Sequence, residues 1–523
     1  MTSEAMPRLT TEVTVERGPE QRGGWRDLVE GPGEEYQARV PKGHALACLW
    51  HVSDVHLCDA ESPARLEYLD RYSDPDSDYR EALGDVGTYR PQEILTVQVG
   101  VSMVDTVNAL DRGPTTGRVV DAVVLTGDLT DNAQANELQW CEGVLRGGVV
   151  APRSGSPRSS SWVGVSDART WDDRYWHPDG PPAGLNQDRP TALFGYPTIP
   201  GLIDAARADV TSPGLRHRCV AVYGNHDGLL QGTVPADAAL RALALGTERI
   251  AGLPLGSTPL VTAEAIEKHG PARYPHEASS PRVTIPADEG RAIVAPEDFA
   301  RILAGSMNNY YSTDVGEVRI LALDTVNPHG GWQGSLDPAQ FEWLANELVA
   351  AAGRYVVIAS HHPSPTLTND YAPAGAPKRV LGPAVVELLL QNQNVIGWMA
   401  GHVHHHAAMR HGDSRSGFWE FTTASLIDWP QQARLVEIVR VSDEGEPEIA
   451  IITTVADHAA GVAWQAGDIT EPAGLASVSR ALSGNDYRLR GGALRGLSLD
   501  SAPAVRNTVW RVPDPFAGRA PQG

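Results

Sequence analysis

Short, nearly continuous apolar runs punctuate the chain at residues 45–52, 122–125, 219–223, 320–323, 355–359 and 395–400. Runs of this length without polar alternation mark strands buried on both faces, so each is expected in the core of a sheet. Between them the apolar spacing turns helical. The clearest case follows Asp337-Pro338, where a capping Asp precedes Pro at the first helical position and Phe341, Leu344 and Leu348 recur on one face. Alternation of strand and helix predicts an α/β fold. Further strands are expected over 418–421, 435–441 and 448–454, and a helix over 475–482.

Three stretches break this rhythm, at residues 60–90, 147–190 and 232–305, and read as insertions over one end of the sheet. The second holds a tract from Ser154 to Ser161 whose Ser, Gly, Pro and Arg composition predicts mobility. Residues 1–43 are polar and rich in Glu, Arg and Gly, which predicts a flexible N-terminal segment. The main domain is expected over residues 44–441 and a C-terminal extension over 442–523. The aromatics Trp171, Tyr175, Trp176, Tyr310 and Tyr311, in or beside the insertions, read as packing residues more than as pocket walls.

Composition narrows the function classes. With 523 residues and 41% hydrophobic side chains the chain can bury a large core. A formal net charge of −22 repels polyanions, so binding to a nucleic-acid polymer or an acidic membrane surface is not expected. An anionic substrate then needs local positive charge, which bound cations supply. The four cysteines, Cys48, Cys58, Cys141 and Cys219, form no CxxC pair and indicate neither a disulfide scaffold nor a zinc finger. No run has the length of a signal peptide or a membrane span, so a cytoplasmic protein is expected.

The chemistry sits where the apolar runs end. In order come Asp54-Val55-His56, Gly127-Asp128, Gly224-Asn225-His226-Asp227, His361-His362-Pro363 and Gly401-His402-Val403-His404. Each alone has an ordinary reading. Asp54 and His56 fit a turn, Gly127-Asp128 is common turn chemistry, the paired histidines fit a buried pair, and residues 402–406 fit a loose His-rich tract. Together they require five independent turns to carry metal-ligand residue types after buried-type strands, and the carboxyl ends of strands are where α/β sheets assemble sites. Carboxylate, carboxamide and imidazole donors without thiolate suit Mn, Fe, Zn or Co.

These motifs resemble the signature of the calcineurin-like metallophosphoesterase superfamily, D-x-H, G-D, G-N-H-D/E, H and G-H-x-H. Within it the chain is similar to the bacterial branch with cyclic-nucleotide phosphodiesterase and purple-acid-phosphatase-like relatives. The segments Gly127-Asp128-Leu129-Thr130-Asp131-Asn132, His361-His362-Pro363 and Thr422-Thr423-Ala424-Ser425-Leu426-Ile427-Asp428-Trp429-Pro430-Gln431-Gln432-Ala433-Arg434 add to that likeness. It is similar also to an uncharacterised actinobacterial group, several of whose members are exported by the twin-arginine route. This chain shows no such signal.

The resemblance implies a four-layer αββα sandwich of two mixed sheets flanked by helices, with two metal ions at one edge. By position Asp54, His56, Asp128 and His404 hold the first ion, and Asp128, Asn225, His361 and His402 the second, with Asp128 bridging. The doubled histidine leaves His361 or His362 as the ligand, and His361 is closer to the strand. The expected reaction is hydrolysis of a small-molecule phosphate ester, a phosphodiester first, by hydroxide bridging the ions. His226 is the candidate general acid. Asp227 either sets the tautomer of its imidazole or ties the turn together through backbone hydrogen bonds. The alternatives are a phosphomonoesterase on the same site and a non-catalytic metal-binding homologue. A metallo-β-lactamase-type hydrolase would need Asp at position 406, where the chain has His406.

Overall fold

The structure is a computed structural model that describes residues 7–72, 74, 77–79, 89–155, 162–260, 279–413, 415–442, 446–488 and 501–517. Its strands are β1 (Arg8–Leu9), β2 (Gly43–Val52), β3 (Ala122–Leu125), β4 (Cys219–Ala221), β5 (Tyr311–Val315), β6 (Val318–Ala322), β7 (Tyr355–Ala359), β8 (Val395–Ala400), β9 (Ala407–Gly412), β10 (Gly417–Thr422), β11 (Gln432–Val441), β12 (Glu448–Asp457) and β13 (Thr508–Pro513). The helices that matter here are α1 (Thr96–Ala109), α2 (Ala135–Arg146), α3 (Pro338–Ala350), α4 (Gly382–Leu390) and α5 (Pro472–Gly484).

Two mixed sheets result. The first has seven strands in the order β1-β12-β11-β2-β3-β4, with β13 also paired to β12. The second has six in the order β5-β6-β7-β8-β10-β9. Strands β2, β3 and β4 run parallel, as do β6, β7, β8 and β10.

Side-chain alternation explains why the sheets stack. In β2, Cys48, Trp50 and Val52 join α1 and α2 in one core, whereas Ala47 and Leu49 face the second sheet. In β7, Tyr355, Val357 and Ala359 face the first sheet, while Val356 and Ile358 pack on α3 and α4. Three apolar layers therefore separate helices, sheet, sheet and helices, which is the expected αββα sandwich. Helix α3 begins where Asp337 accepts a hydrogen bond from Gln340 N at 2.9 Å, with Pro338 in its first turn.

Residues outside the expected main domain are built into this frame. The expected flexible segment 1–43 instead holds β1 and an antiparallel hairpin, Val13–Glu20 with Arg26–Pro32. Its Val15, Trp25 and Leu28 pack with Val478, Ala481 and Leu482 of α5, and this burial holds a polar stretch in place. The boundary at 441 also falls inside a sheet, because β12 pairs with β11 over residues 432–440 and 449–457.

Of the tract expected to be mobile, residues 156–161 lie outside the described residues, while Ser154 is buried and its hydroxyl donates to Asp59 at 2.6 Å. The insertions 60–90 and 232–305 pack on each other through Leu66, Leu69, Leu240 and Ile250. Among the described residues no helix is long and apolar enough to cross a membrane.

Candidate metal centre

All five motifs leave the carboxyl ends of parallel strands, three from one sheet and two from the other. Asp54 and His56 follow β2, Asp128 follows β3, Asn225 and His226 follow β4, His361 and His362 follow β7, and His402 and His404 follow β8. Because the two sheets lie face to face with their parallel strands ending at a common edge, the turns meet there.

The turns are tight enough to demand unusual backbone. Asp54, His56, Asp128, His402 and His404 have φ of 52°, 48°, 50°, 69° and 57°, and they make up five of the eight non-glycine residues with positive φ among the described residues. Such conformations cost on the order of 1 kcal/mol each, and they cluster where function holds a side chain in place. Cross-links between turns fix them. Asp54 N donates to Gly127 O at 3.1 Å, His56 N to Asp128 O at 2.9 Å, and Gly401 N to His361 O at 2.9 Å. Gly127 (φ 88°) is required as glycine, since a Cβ there would lie 2.8 Å from His361 Nδ1.

The side chains converge. His361 Nε2 lies 3.1 Å from Asp128 Oδ2 and 2.9 Å from Asn225 Oδ1. His56 Nε2 lies 3.7 Å from Asp128 Oδ2, and His404 Nε2 lies 3.2 Å from Asp54 Oδ1. The sets Asp54, His56 and His404, then Asp54, Asp128 and His361, then His361, His362 and His402 each bring donor atoms within 4.8 Å of one another. Asp128 and Asp54 thus sit between imidazoles from both sheets.

His361, Asn225, His56 and His404 are each tethered so that one atom faces the centre. Thr126 O accepts from His361 Nδ1 at 2.8 Å, and Asn225 Nδ2 donates to Gly232 O at 2.9 Å, which turns Oδ1 inward. His56 Nδ1 lies 3.0 Å from Asp131 Oδ1, and His404 Nδ1 lies 2.7 Å from Asp428 Oδ2. Arg65 in turn grips Asp131, and Arg90 Nε donates to Asp428 at 2.8 Å.

Charge follows the same plan. Burial opposes ionisation of Asp128, but the imidazoles of His361 and His226 outweigh it and hold the carboxyl well below its ordinary range. Asp54 is lowered in the same way by His404. Burial disfavours the charged form of His361 and His404, yet Asp128 raises the first to about 9 and Asp54 with Asp428 raises the second to about 10. His56 and His402 go the other way, driven neutral by burial and neighbouring imidazoles, His56 to about 4. The carboxylates therefore draw cationic charge into a buried place.

The donor set fits divalent ions on an observation independent of sequence. His56 Nε2 and His402 Nε2 are buried without any hydrogen-bond partner among the described residues. Leaving such a nitrogen unpaired costs about 1–3 kcal/mol, and a cation would satisfy both. Neutral imidazoles beside carboxylates are the form that binds metal.

His362 Nδ1 faces Thr325 Oγ1 at 2.8 Å and its Nε2 faces Trp332 O at 3.1 Å, so both ring nitrogens are engaged even though they lie near the other donors. Asp227 does not touch the His226 ring through any hydrogen bond shown. Its carboxylate accepts from Leu129 N, Thr130 N, Thr130 Oγ1 and Gly224 N at 2.8–2.9 Å, which is the turn-tying arrangement. The partner of His226 Nδ1 is Asp131, through its carbonyl at 3.0 Å and Oδ1 at 3.1 Å.

Sequence reasoning assigned no role to Asp131, Arg65, Asp428, Arg90 or Trp332. Asp131 and Asp428 stood within the segments that carried the family resemblance, so a signal existed for them. The aromatics weighed as pocket walls lie elsewhere: Tyr175 and Trp176 are buried, Trp171 stacks on His177, and Tyr310 meets Trp343 with its plane inclined by 56°.

No family model and no curated protein matches the chain. Solved structures do. A dimetal phosphatase from Danio rerio is similar at 14% identity over 79% of this chain and 97% of its own, with a TM-score of 0.29. The calcineurin-like phosphoesterase YfkN from Bacillus subtilis is similar at 10% identity over 84% of this chain and 99% of its own, with a TM-score of 0.27. The sulfate thiohydrolase SoxB from Thermus thermophilus is similar at 11% identity over 78% of this chain and 56% of its own, with a TM-score of 0.25. In this chain the five motifs meet at one edge of a sandwich of two mixed sheets.

Proposed function

We propose that the chain is a metal-dependent hydrolase of small phosphate esters, with phosphodiesters as the preferred class. The observation that carries this reading is the convergence of carboxylate and imidazole donors from both sheets into overlapping sets within 4.8 Å, with the Asn225 carboxamide oxygen 2.9 Å from His361 Nε2. On this reading Asp54, His56, Asp128 and His404 hold one ion and Asp128, Asn225, His361 and His402 a second, with Mn, Fe, Zn and Co all suited to the donors. When bound, two such ions supply positive charge to the phosphoryl oxygens and make water acidic enough for hydroxide to be available near neutral pH.

The protein's own groups do the rest. Asp131 accepts a hydrogen bond from Nδ1–H of His56 and Asp428 one from Nδ1–H of His404, so each neutral imidazole presents a lone pair at Nε2. His226 has Nδ1 committed to Asp131, which leaves Nε2 to hold the proton that a departing alkoxide needs. Asp131 therefore serves as the positioning residue for His226, and Asp227 as the tie of its turn.

A diester suits the centre better than a monoester on charge. The guanidinium groups beside it, Arg65 and Arg90, are committed to Asp131, Glu67 and Glu93 and to Asp428. On this reading neither Arg65 nor Arg90 is available to meet a second negative charge on the substrate.

Purified full-length protein, stripped and reloaded with each of the four metals, should hydrolyse bis(4-nitrophenyl) phosphate faster than 4-nitrophenyl phosphate, and Asp128→Ala should abolish both activities. Absence of turnover with every metal would favour a non-catalytic metal-binding protein. Faster hydrolysis of the monoester would replace the diester preference.

A further inference from the structure

Large aromatic side chains in this chain are mostly buried, and Trp332 departs from that at 43% exposure. Its indole lies over the ring of His402, with centroids 5.9 Å apart and planes inclined by 25°. It therefore stands at the mouth of the metal centre, one ring away from its donors.

The turn that carries Trp332 is held firmly. Its own carbonyl accepts from His362 Nε2 at 3.1 Å. Asn369 Nδ2 donates to Gly330 O at 2.9 Å and to Gln333 O at 3.0 Å, and Gly331 N donates to Thr233 O at 2.8 Å. Asn327 Nδ2 then joins this turn to the next segment through Asn369 Oδ1 and Tyr371 O, at 3.0 and 2.9 Å. Tyr371 is itself 36% exposed and meets the edge of His329 at 6.5 Å. Two exposed aromatics are thus carried on segments that Asn327 and Asn369 tie together.

Holding an indole rigid and half in water gives little to folding, because the apolar area it could bury stays wet. A fixed aromatic face does serve recognition, since flat rings stack on it whatever their hydrogen-bonding edge. We propose that Trp332 is a specificity-determining residue that stacks on a flat, uncharged ring, aryl or nucleobase, carried by the phosphodiester. This deepens the phosphodiesterase reading and rests on it. The ring belongs to the substituent that stays on the phosphoryl group, on the His402 side of the centre.

The test compares two diesters of equal charge and equal leaving group on the metal-loaded full chain, thymidine 5'-(4-nitrophenyl) phosphate and methyl 4-nitrophenyl phosphate. The ratio of their kcat/KM values should fall roughly 5- to 150-fold in Trp332→Ala, the span that loss of one base-aromatic stack predicts. Trp332→Phe should hold the ratio within about threefold, because a smaller aromatic face still stacks. An unchanged ratio in Trp332→Ala, including equal loss on both esters, would overturn the platform and leave Trp332 as packing for His402. The affinity ratio of thymidine 5'-phosphate to methyl phosphate, measured by calorimetry, reads the same preference without turnover. A chain that hydrolyses neither ester would sink the phosphoesterase reading, while that affinity ratio would still decide for or against Trp332.

Discussion

Replacing Asp428 by Asn should weaken one metal ion and spare the other. The carboxylate of Asp428 bonds His404 Nδ1 at 2.7 Å through Oδ2, while Oδ1 accepts from Arg90 Nε at 2.8 Å and from Gln92 Nε2 at 3.3 Å. An Asn of the same shape must keep its oxygen toward Arg90 and Gln92, which both donate, so its NH2 turns to His404. The imidazole then has to accept at Nδ1, and its proton moves to Nε2, the nitrogen that lies 3.2 Å from Asp54 Oδ1 and would bind the ion. Loss of such a supporting carboxylate costs about 10- to 100-fold in metal affinity, or about 1.4–2.7 kcal/mol. Because Asp428 bonds His404 and none of Asn225, His361 or His402, the effect should fall on the ion held by Asp54, His56 and His404. A competition titration with Mn2+ or Zn2+ against a chromophoric chelator should resolve one weakened site and one within about twofold of wild type. Equal weakening of both sites, or of neither, would refute the assignment of His404 and the tautomer argument together.

Other substitutions separate the remaining roles. His361→Ala should lose bound metal, whereas His362→Ala should keep it and lose stability by about 1–3 kcal/mol through the unpaired Thr325 hydroxyl and Trp332 carbonyl, as read by elemental analysis and thermal unfolding. His226→Ala should retain both ions and slow esters with alkoxide leaving groups by about 100-fold or more relative to 4-nitrophenolate esters, which need little protonation. Equal slowing of both ester types would remove His226 as the acid. Gly232→Ala should depress turnover, because at φ 63° the added Cβ would overlap the His226 ring and the Asn225 amide. Wild-type kinetics in that variant would show that the contact is slack.

The ligand-bearing turns were legible in the sequence because each lies one to four residues beyond an apolar run, and strand ends can be read locally. Alternation of the runs with helical spacing also announced an α/β fold, while the two stacked sheets were implied by the resemblance alone. What escaped depends on contacts that no local pattern reports. Arg90 reaches Asp428 across 338 positions, and Arg65 reaches Asp131 across 66. Trp332 lies in a Gly-Gly turn whose neighbours in sequence give no hint of His402. The N-terminal hairpin was obscured by its Glu and Arg content, since only Val15, Trp25 and Leu28 reach the core. His361 and His362 are identical in type, and only the carbonyls and hydroxyls around them tell them apart.

The outer edge of the larger sheet carries one more consequence. Strand β12 is covered by β1 at Ala456 and Asp457 and by β13 at residues 448–453, and Thr10 meets Asn507 side chain to side chain at 2.9–3.2 Å across 497 positions. A growing polypeptide leaving the ribosome cannot close this seam until residue 508 and its neighbours are free of the exit tunnel. Until then the flank of β12 presents unpaired amides and carbonyls to whatever strand passes by. Synthesis that stops between residues 457 and 508 would release a chain with all five candidate metal-binding turns made and one side open to aggregation.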